Sequence, residues 1–274
     1  MKRYRILSYD FDTRASILKQ EVQDTWEPDV KRLWQNNKIQ IKEGLIAQFG
    51  AFGCHQKIEN FIELGASPFS IIAFHNKFLR QAREAFVIGA YYPALTAACS
   101  LGERILNQLI LHLRDDYKDT NEYKKVYRKN SFDNWDLAID TLESWQVLLP
   151  DVAILFNKLK ETRNQSIHFN PETDKNDREL ALKAIHKLTE IIVGQFAGFG
   201  PLPWIIPKTK GAVFIKKSYE NVPFVNKIIL PNCHLVGHLH TLEVKNDRWI
   251  VQDDHEYEDK EITDEEFTEL FNNR

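Results

Sequence analysis

The feature that most limits the fold is a series of apolar residues at helical spacing through the middle of the chain. Between Pro93 and Leu113, the residues Leu95, Ala98, Leu101, Ile105 and Leu109 recur at intervals of three and four. That period collects them on one face of an α-helix, and such a face has to be buried against partners. Leu180, Ala184, Ile185, Leu188, Ile191 and Ile192 repeat the pattern, opened by Asn176 with Glu179 as a capping pair and closed by Gly198, Gly200 and Pro201. Two further helices are predicted. One opens at Ser67–Pro68, a cap followed by proline at the first helical position, and ends at Gly89. The other opens at Pro150–Asp151 and ends near Phe169, because Asn170 precedes Pro171 and that disfavours helical geometry. Four such helices form a bundle. A shorter helix from Asp133 to Trp145 reads as an insertion within it.

The flanks have a different texture. Residues 1–60 predict a short strand from Tyr4 to Phe11 and one or two polar helices, including Trp26 to Phe49 with Pro28 in its first turn. After Pro201, the stretches Ala212–Tyr219, Phe224–Leu230, His234–Val244 and Arg248–Val251 are rich in β-formers and punctuated by Pro, Asn and Asp. Thr263 and Glu266 then make a capping-box pattern for a last short helix ending near Phe271. The expected fold class is mainly α. It divides into an N-terminal strand and helix extension (1–60), a helical domain (61–200) and a small β-rich module with an acidic end (201–274).

Charge and hydropathy narrow the class of protein. Residues 252–274 carry ten Asp or Glu against Lys260 and Arg274, a net of −8, so the rest of this −3 chain is at +5. A mildly basic body is compatible with nucleic acid without demanding it. The longest uncharged stretch, Ala85 to Gly102, is broken by Gly89 and Pro93 and falls short of the ~20 apolar residues of a membrane span. Charges at the start, MKRYRILSYDFD, argue against a secretory signal. The three cysteines, Cys54, Cys99 and Cys233, are too few and too scattered for a disulfide framework. A cytoplasmic protein with no membrane partner is expected.

The segment that points to chemistry is ETRNQSIHFNP. Arg163 falls in line with Leu155 and Leu159, on an apolar stripe where a permanent charge needs a partner or an anion. His168 follows five residues on, ~140° round an ideal helix. It lies where the helix is ending and where the dipole favours protonated imidazole. An arginine that grips phosphate at two points and a histidine that moves a proton are the minimum for cleaving RNA through its own 2′-hydroxyl. The bland alternative is an Arg163 paired with a nearby glutamate and a His168 that caps the chain end.

Three pieces of the sequence together resemble the HEPN family (higher eukaryote and prokaryote nucleotide-binding) over about Ser67 to Phe199. They are FHNKFLRQAREAF, then GAYYPALTAACSLGERILNQLI with its embedded Glu103, and the Arg-x4-His motif from Arg163 to His168. The resemblance implies a four-helix HEPN-like bundle and catalytic roles for Arg163 and His168, with Asn164 in support. It also implies a two-fold homodimer in which two copies of the motif meet, with no metal or other cofactor. The expected products carry a 2′,3′-cyclic phosphate and a 5′-hydroxyl. Many relatives are toxins or antiviral effectors, so an antitoxin or regulatory protein is a possible partner. Some relatives are inactive, and the alternative function is a non-catalytic module that binds nucleotide or RNA or mediates protein contacts.

Four secondary features stand beside this motif. Glu103 could orient Arg163 or, alternatively, pair with an arginine such as Arg83. The stretch from Tyr117 to Lys129 interleaves Tyr117, Tyr123 and Tyr127 with Lys118, Lys124, Lys125, Arg128 and Lys129. Lys124, Lys125, Tyr127, Arg128 and Lys129 are its candidate RNA contacts. In a single strand His234, His238 and His240 would share a face, with His238 and His240 ~7 Å apart, which could hold zinc in a rival metal-dependent reading. The acidic end could cover a basic site until displaced, though it reads more simply as solvated surface.

Overall fold

The computed structural model describes residues 1–7, 12–166, 173–246 and 248–274. The chain is mainly helical, with a small antiparallel β region. Strand β1 (Arg3–Ile6) leads into α1 (Arg14–Lys19), α2 (Pro28–Phe49), α3 (Cys54–Glu63), α4 (Ala73–Val87) and α5 (Tyr91–Leu113). Then come a one-turn α6 (Tyr123–Val126), α7 (Trp135–Ser144), α8 (Pro150–Ser166) and α9 (Thr173–Phe196). Strands β2 (Val213–Phe214), β3 (Cys233–Val236), β4 (Thr241–Lys245) and β5 (Arg248–Gln252) precede α10 (Asp264–Asn272). Among the described residues no helix is long and apolar enough to cross a membrane.

The apolar stripes meet as their spacing demands. Leu95, Ala98, Leu101, Ile105 and Leu109 of α5 are all buried, as are Ala184, Ile185, Leu188, Ile191 and Ile192 of α9. They share one core with Leu79 and Phe86 of α4 and Phe156 and Leu159 of α8. Each Leu, Ile or Phe among them contributes ~1.5–3 kcal/mol on burial, which no short polar helix could match by propensity alone. Helix α7 adds Trp135, Ala138, Ile139 and Leu142 to this core. Gly89, with φ at 86°, takes the left-handed turn that ends α4 and starts α5.

Strand β1 is the middle strand of a sheet in the order β2–β1–β3, with Arg5 opposite both Phe214 and His234. The first and last parts of the chain are therefore hydrogen-bonded to each other. Strands β4 and β5 form a separate hairpin. A second, small core of Ile206, Phe214, Val236, Ile262, Phe267 and Phe271 lies beneath α10. The predicted capping box is present there, with Thr263 N–H donating to Glu266 Oε2 at 2.8 Å and Glu266 N–H to Thr263 Oγ1 at 3.1 Å. Pro28 opens α2 as expected.

Several local expectations are corrected. The first bundle helix starts at Ala73, not at Ser67–Pro68. The segment before it is held extended by tertiary partners: Ser67 bridges Asp12, Ser70 bridges Ala197, and the Asn76 side chain takes both the N–H and the C=O of Ser70. The predicted opening at Asn176 falls inside the span of α9 but at a break in it: two helical segments meet there, and Asn176 has a non-helical φ of −125°. Phe224–Leu230 is no strand; Val225–Ile229 is a π-helical turn. Phe224, Val225, Ile229 and Leu230 are buried on one helical face, a period that overrides their β-propensity. Ala212–Tyr219 keeps only the two residues of β2, followed by a 3-10 turn at Lys217–Tyr219. The loop after α5 contains a 3-10 turn, Arg114–Tyr117, and the short α6. The strand predicted over Tyr4–Phe11 runs from Arg3 to Ile6 and has ended by Leu7; residues 8–11 lie outside the described residues. His168 and the predicted helix end near Phe169 lie outside the described residues.

Candidate functional site

The last two turns of α8 carry Arg163 to the face that packs on α5 and α7. Its Nη2 lies 3.3 Å from Glu103 Oε2 on α5. The same carboxylate oxygen accepts the Trp135 indole N–H at 3.0 Å, and the guanidinium carbon stands 5.8 Å from the centre of the Trp135 ring. Arg163 Nη1 reaches the Asn164 Oδ1 at 3.4 Å, with the Asn164 side chain in solvent. Glu103, Arg163 and Asn164 are thus brought together, and Trp135 joins them.

Each member is placed by an identifiable local device. Asn134 caps α7 by accepting from Leu137 N–H at 3.1 Å, which fixes Trp135 at the first turn. Asn107, one turn beyond Glu103, clamps the approach to α7: it accepts from Phe132 N–H at 2.6 Å and donates to Phe132 C=O at 2.9 Å. Gly102 supplies the space. A Cβ there would stand 2.7 Å from Leu159 Cδ2 and 2.8 Å from Trp135 Cη2, so only glycine lets α7 and α8 close on α5 at this level.

The electrostatics follow from partial burial. The Arg163 side chain is 20% exposed and Glu103 36%, so the pair is screened and stabilises the fold by ~1 kcal/mol or less. A guanidinium offers five N–H donors in a plane. The contacts to Glu103 and Asn164 leave donors for an anion, while the Trp135 ring covers one side of the group. Cys99, one turn before Glu103 and fully buried, is no nucleophile. Burial pushes its thiol up to about 12, against the pull of Arg163.

The other sequence candidates lie apart from this cluster. Lys124, Lys125, Tyr127, Arg128 and Lys129 all face solvent on α6 and the turn after it, anchored by the buried Val126. Arg114 Nη1 donates to the carbonyls of Val126 and Lys129, at 3.2 and 2.6 Å, which holds the segment to the end of α5. Tyr117 turns inward and stacks on Trp145 with centroids 4.6 Å apart. Tyr127 stacks on Tyr123 at 5.5 Å and carries Arg128 over its ring at 5.0 Å. From Glu103 to Leu113 the α5 axis rises ~15 Å, so a strand of RNA would have to span about that distance to touch both groups.

The histidine strand is not formed. His234 is in β3, but Gly237 turns the chain, and His238 and His240 lie beyond the strand's end. The Tyr257 ring occupies the space over Gly237, where any Cβ would fall 2.0 Å from Tyr257 Cζ. His240 is buried, accepts from Arg5 and donates from Nδ1 to Gly237 C=O, while His234 is exposed. Among the described residues no group of three His, Cys, Asp or Glu side chains could hold a metal ion. Carboxylates of the acidic end pair instead with Lys2, Arg3 and Lys217, on the sheet side of the molecule. Glu103 pairs with Arg163 rather than with Arg83, whose donors go to the carbonyls of Leu64 and Gly65.

Sequence reasoning missed Trp135 and Gly102, and placed Asn107 one turn from Glu103 without giving it a role. The spacing of Glu103 and Asn107 at one helical turn was a usable signal. The arrival of Trp135 from 32 residues away was not. No family model, no curated protein and no solved structure matches the chain.

Proposed function

We propose that the chain is a metal-independent endoribonuclease of toxin or antiviral-defence type, with its site at the C-terminal end of α8. The observation that supports this most is the state of Arg163: a guanidinium beside the Glu103 carboxylate and over the Trp135 ring, with donors to spare, next to Asn164 in the Arg-x4-His motif. Arg163 would hold the scissile phosphate and steady the charge that grows on it as the 2′-oxygen attacks phosphorus. The proton of the 2′-hydroxyl passes to one base, and a proton passes from one acid to the departing 5′-oxygen. His168 supplies one of these groups. A second copy of the chain supplies the other, so the working form is a homodimer with two motifs around one cleft. Lys124, Lys125, Tyr127, Arg128 and Lys129 would hold the strand away from the scissile bond.

The non-catalytic alternative also has a specific observation behind it. Arg163 already touches a carboxylate, and a phosphate has to share the guanidinium with Glu103. Incubation with mixed RNA in EDTA, followed by analysis of product ends, separates the two. The nuclease predicts 2′,3′-cyclic phosphate and 5′-hydroxyl ends formed without metal. Intact RNA, or cleavage that appears only when a divalent ion is added, contradicts it.

A further inference from the structure

A second arginine-lined space lies on the other side of α4, and it is independent of the ribonuclease proposal. A cavity of about 220 Å³ opens between α1, the end of α2, α3 and α4. Its floor is Arg83, 6% exposed, which donates from Nη1 to Leu64 C=O at 3.2 Å and from Nη2 to Gly65 C=O at 2.5 Å. Both acceptors are neutral. Among the described residues no carboxylate pairs with Arg83, and Asp12 lies near enough for its charge to favour the protonated guanidinium. Asp12 is engaged elsewhere: Arg14 grips it at two points, Nε to Oδ1 at 3.0 Å and Nη2 to Oδ2 at 2.8 Å. Arg14 in turn lies over the Phe61 ring at 5.2 Å.

Among the described residues the charge does not balance: Arg14, Arg80 and Arg83 line the space against Asp12 and Glu84, which leaves one positive charge in excess. Glu84 sits at the rim, where its carboxylate is 4.0 Å from Arg80 Nε. A buried guanidinium that meets only carbonyls bears a desolvation cost which a contacting anion would offset. Burial draws Arg83 down to about 10 for this reason. Three of its five N–H donors remain for a ligand. The facing wall is apolar, with Phe49, Phe61 and Val87.

We propose that this cavity binds a small organic monocarboxylate, its carboxylate between Arg83 and Arg80 and its apolar body against Phe61 and Val87. At ~30 Å³ for a water's share of liquid volume, the space takes about seven such groups, the size of a small ring or branched acid. A single excess charge suits a monoanion. A phosphate dianion would set its second charge against Asp12 and Glu84.

The full chain titrated with 4-fluorobenzoate, followed by fluorine NMR and calorimetry, tests the assignment. One-to-one saturable binding is expected, with neutral 4-fluorobenzamide and dianionic phenyl phosphate each weaker by about tenfold or more. Arg83→Met should abolish binding. Because that buried change could unfold the chain, Arg80→Glu at the exposed rim is the second variant, expected to weaken 4-fluorobenzoate about tenfold with unchanged thermal stability. Absence of saturable binding up to ~10 mM, or an affinity indifferent to Arg80→Glu, would overturn the proposal. So would benzamide bound as tightly as benzoate, which would mark a merely apolar hole, or phenyl phosphate bound more tightly than either.

Discussion

Arg163 and Arg83 are both set into the sides of the helical bundle, and they meet their charges in opposite ways. Arg163 has a carboxylate at 3.3 Å, an indole face and an amide oxygen, and keeps a fifth of its side chain in solvent. Arg83 is more deeply buried and has two peptide carbonyls instead. An arginine that carries its own counter-ion is preorganised but partly satisfied, so it acts on a substrate by sharing. An arginine without one is a standing demand for an anion. His75, on α4 as well, shows a third solution. It is 1% exposed, bonded through Nδ1 to Ser70 Oγ at 2.9 Å, and burial draws its pKa down to about 3, so it stays neutral. Arginine lacks that escape because it holds its proton at any ordinary pH.

The comparison can be broken most strongly at Trp135. Trp135→Ala empties a buried site and strips Glu103 and Arg163 of their common neighbour, so we expect a loss of ~3–5 kcal/mol in urea unfolding. A loss below ~1 kcal/mol would mean that the indole does not organise the Arg163 side of the bundle.

His75 gives the next largest effect. A base whose folded pKa lies below its unfolded value contributes stability that is complete above the unfolded value of 6.5 and is lost as pH falls towards about 3. Between pH 6.5 and 4.5 that amounts to ~2 kcal/mol, and urea midpoints of wild type and His75→Gln across this range should diverge by it. Parallel pH profiles for the two chains would show that His75 is not held neutral.

Gly102→Ala comes third. The added methyl meets Leu159 and Trp135 at under 3 Å and should cost ~1–3 kcal/mol, offset by ~1 kcal/mol of helix propensity. A more stable Gly102→Ala protein would mean that α7 and α8 can move away from α5 freely. The smallest stability effect is at Glu103. Glu103→Gln keeps an acceptor for the Trp135 N–H and removes only a screened charge, so unfolding should shift by ~1 kcal/mol or less. A shift above ~3 kcal/mol would put Glu103 among the buried structural ion pairs instead.

The central helices were legible in the sequence because their apolar residues recur at a single period over many turns, as at Leu95 to Leu109 and Leu180 to Ile192. The boundaries were less so. Ser67–Pro68 carries a sound cap signal, yet Asn76 and Asp12 capture that backbone for extended pairing, and no local pattern announces a tertiary partner. The β-formers at Phe224–Leu230 were misread because their helical spacing carries more information than their composition. Arg163 and Glu103 could be singled out from stripe and spacing. Trp135 could not, since its contact with Glu103 joins helices far apart in the chain; the Asp12–Arg14 clamp is local, but its place beside Arg83 is set by tertiary packing.

The most direct test of the account compares Arg163→Lys with wild type in two measurements on the same preparation, thermal unfolding and single-turnover RNA cleavage in EDTA. Lysine preserves the charge opposite Glu103 but loses the planar two-point grip on phosphate. The account predicts melting temperatures within a few degrees of each other and cleavage reduced by ~100-fold or more. Cleavage that survives in Arg163→Lys at close to the wild-type rate, or a wild-type chain that leaves RNA intact, would show that Arg163 serves only to join α8 to α5.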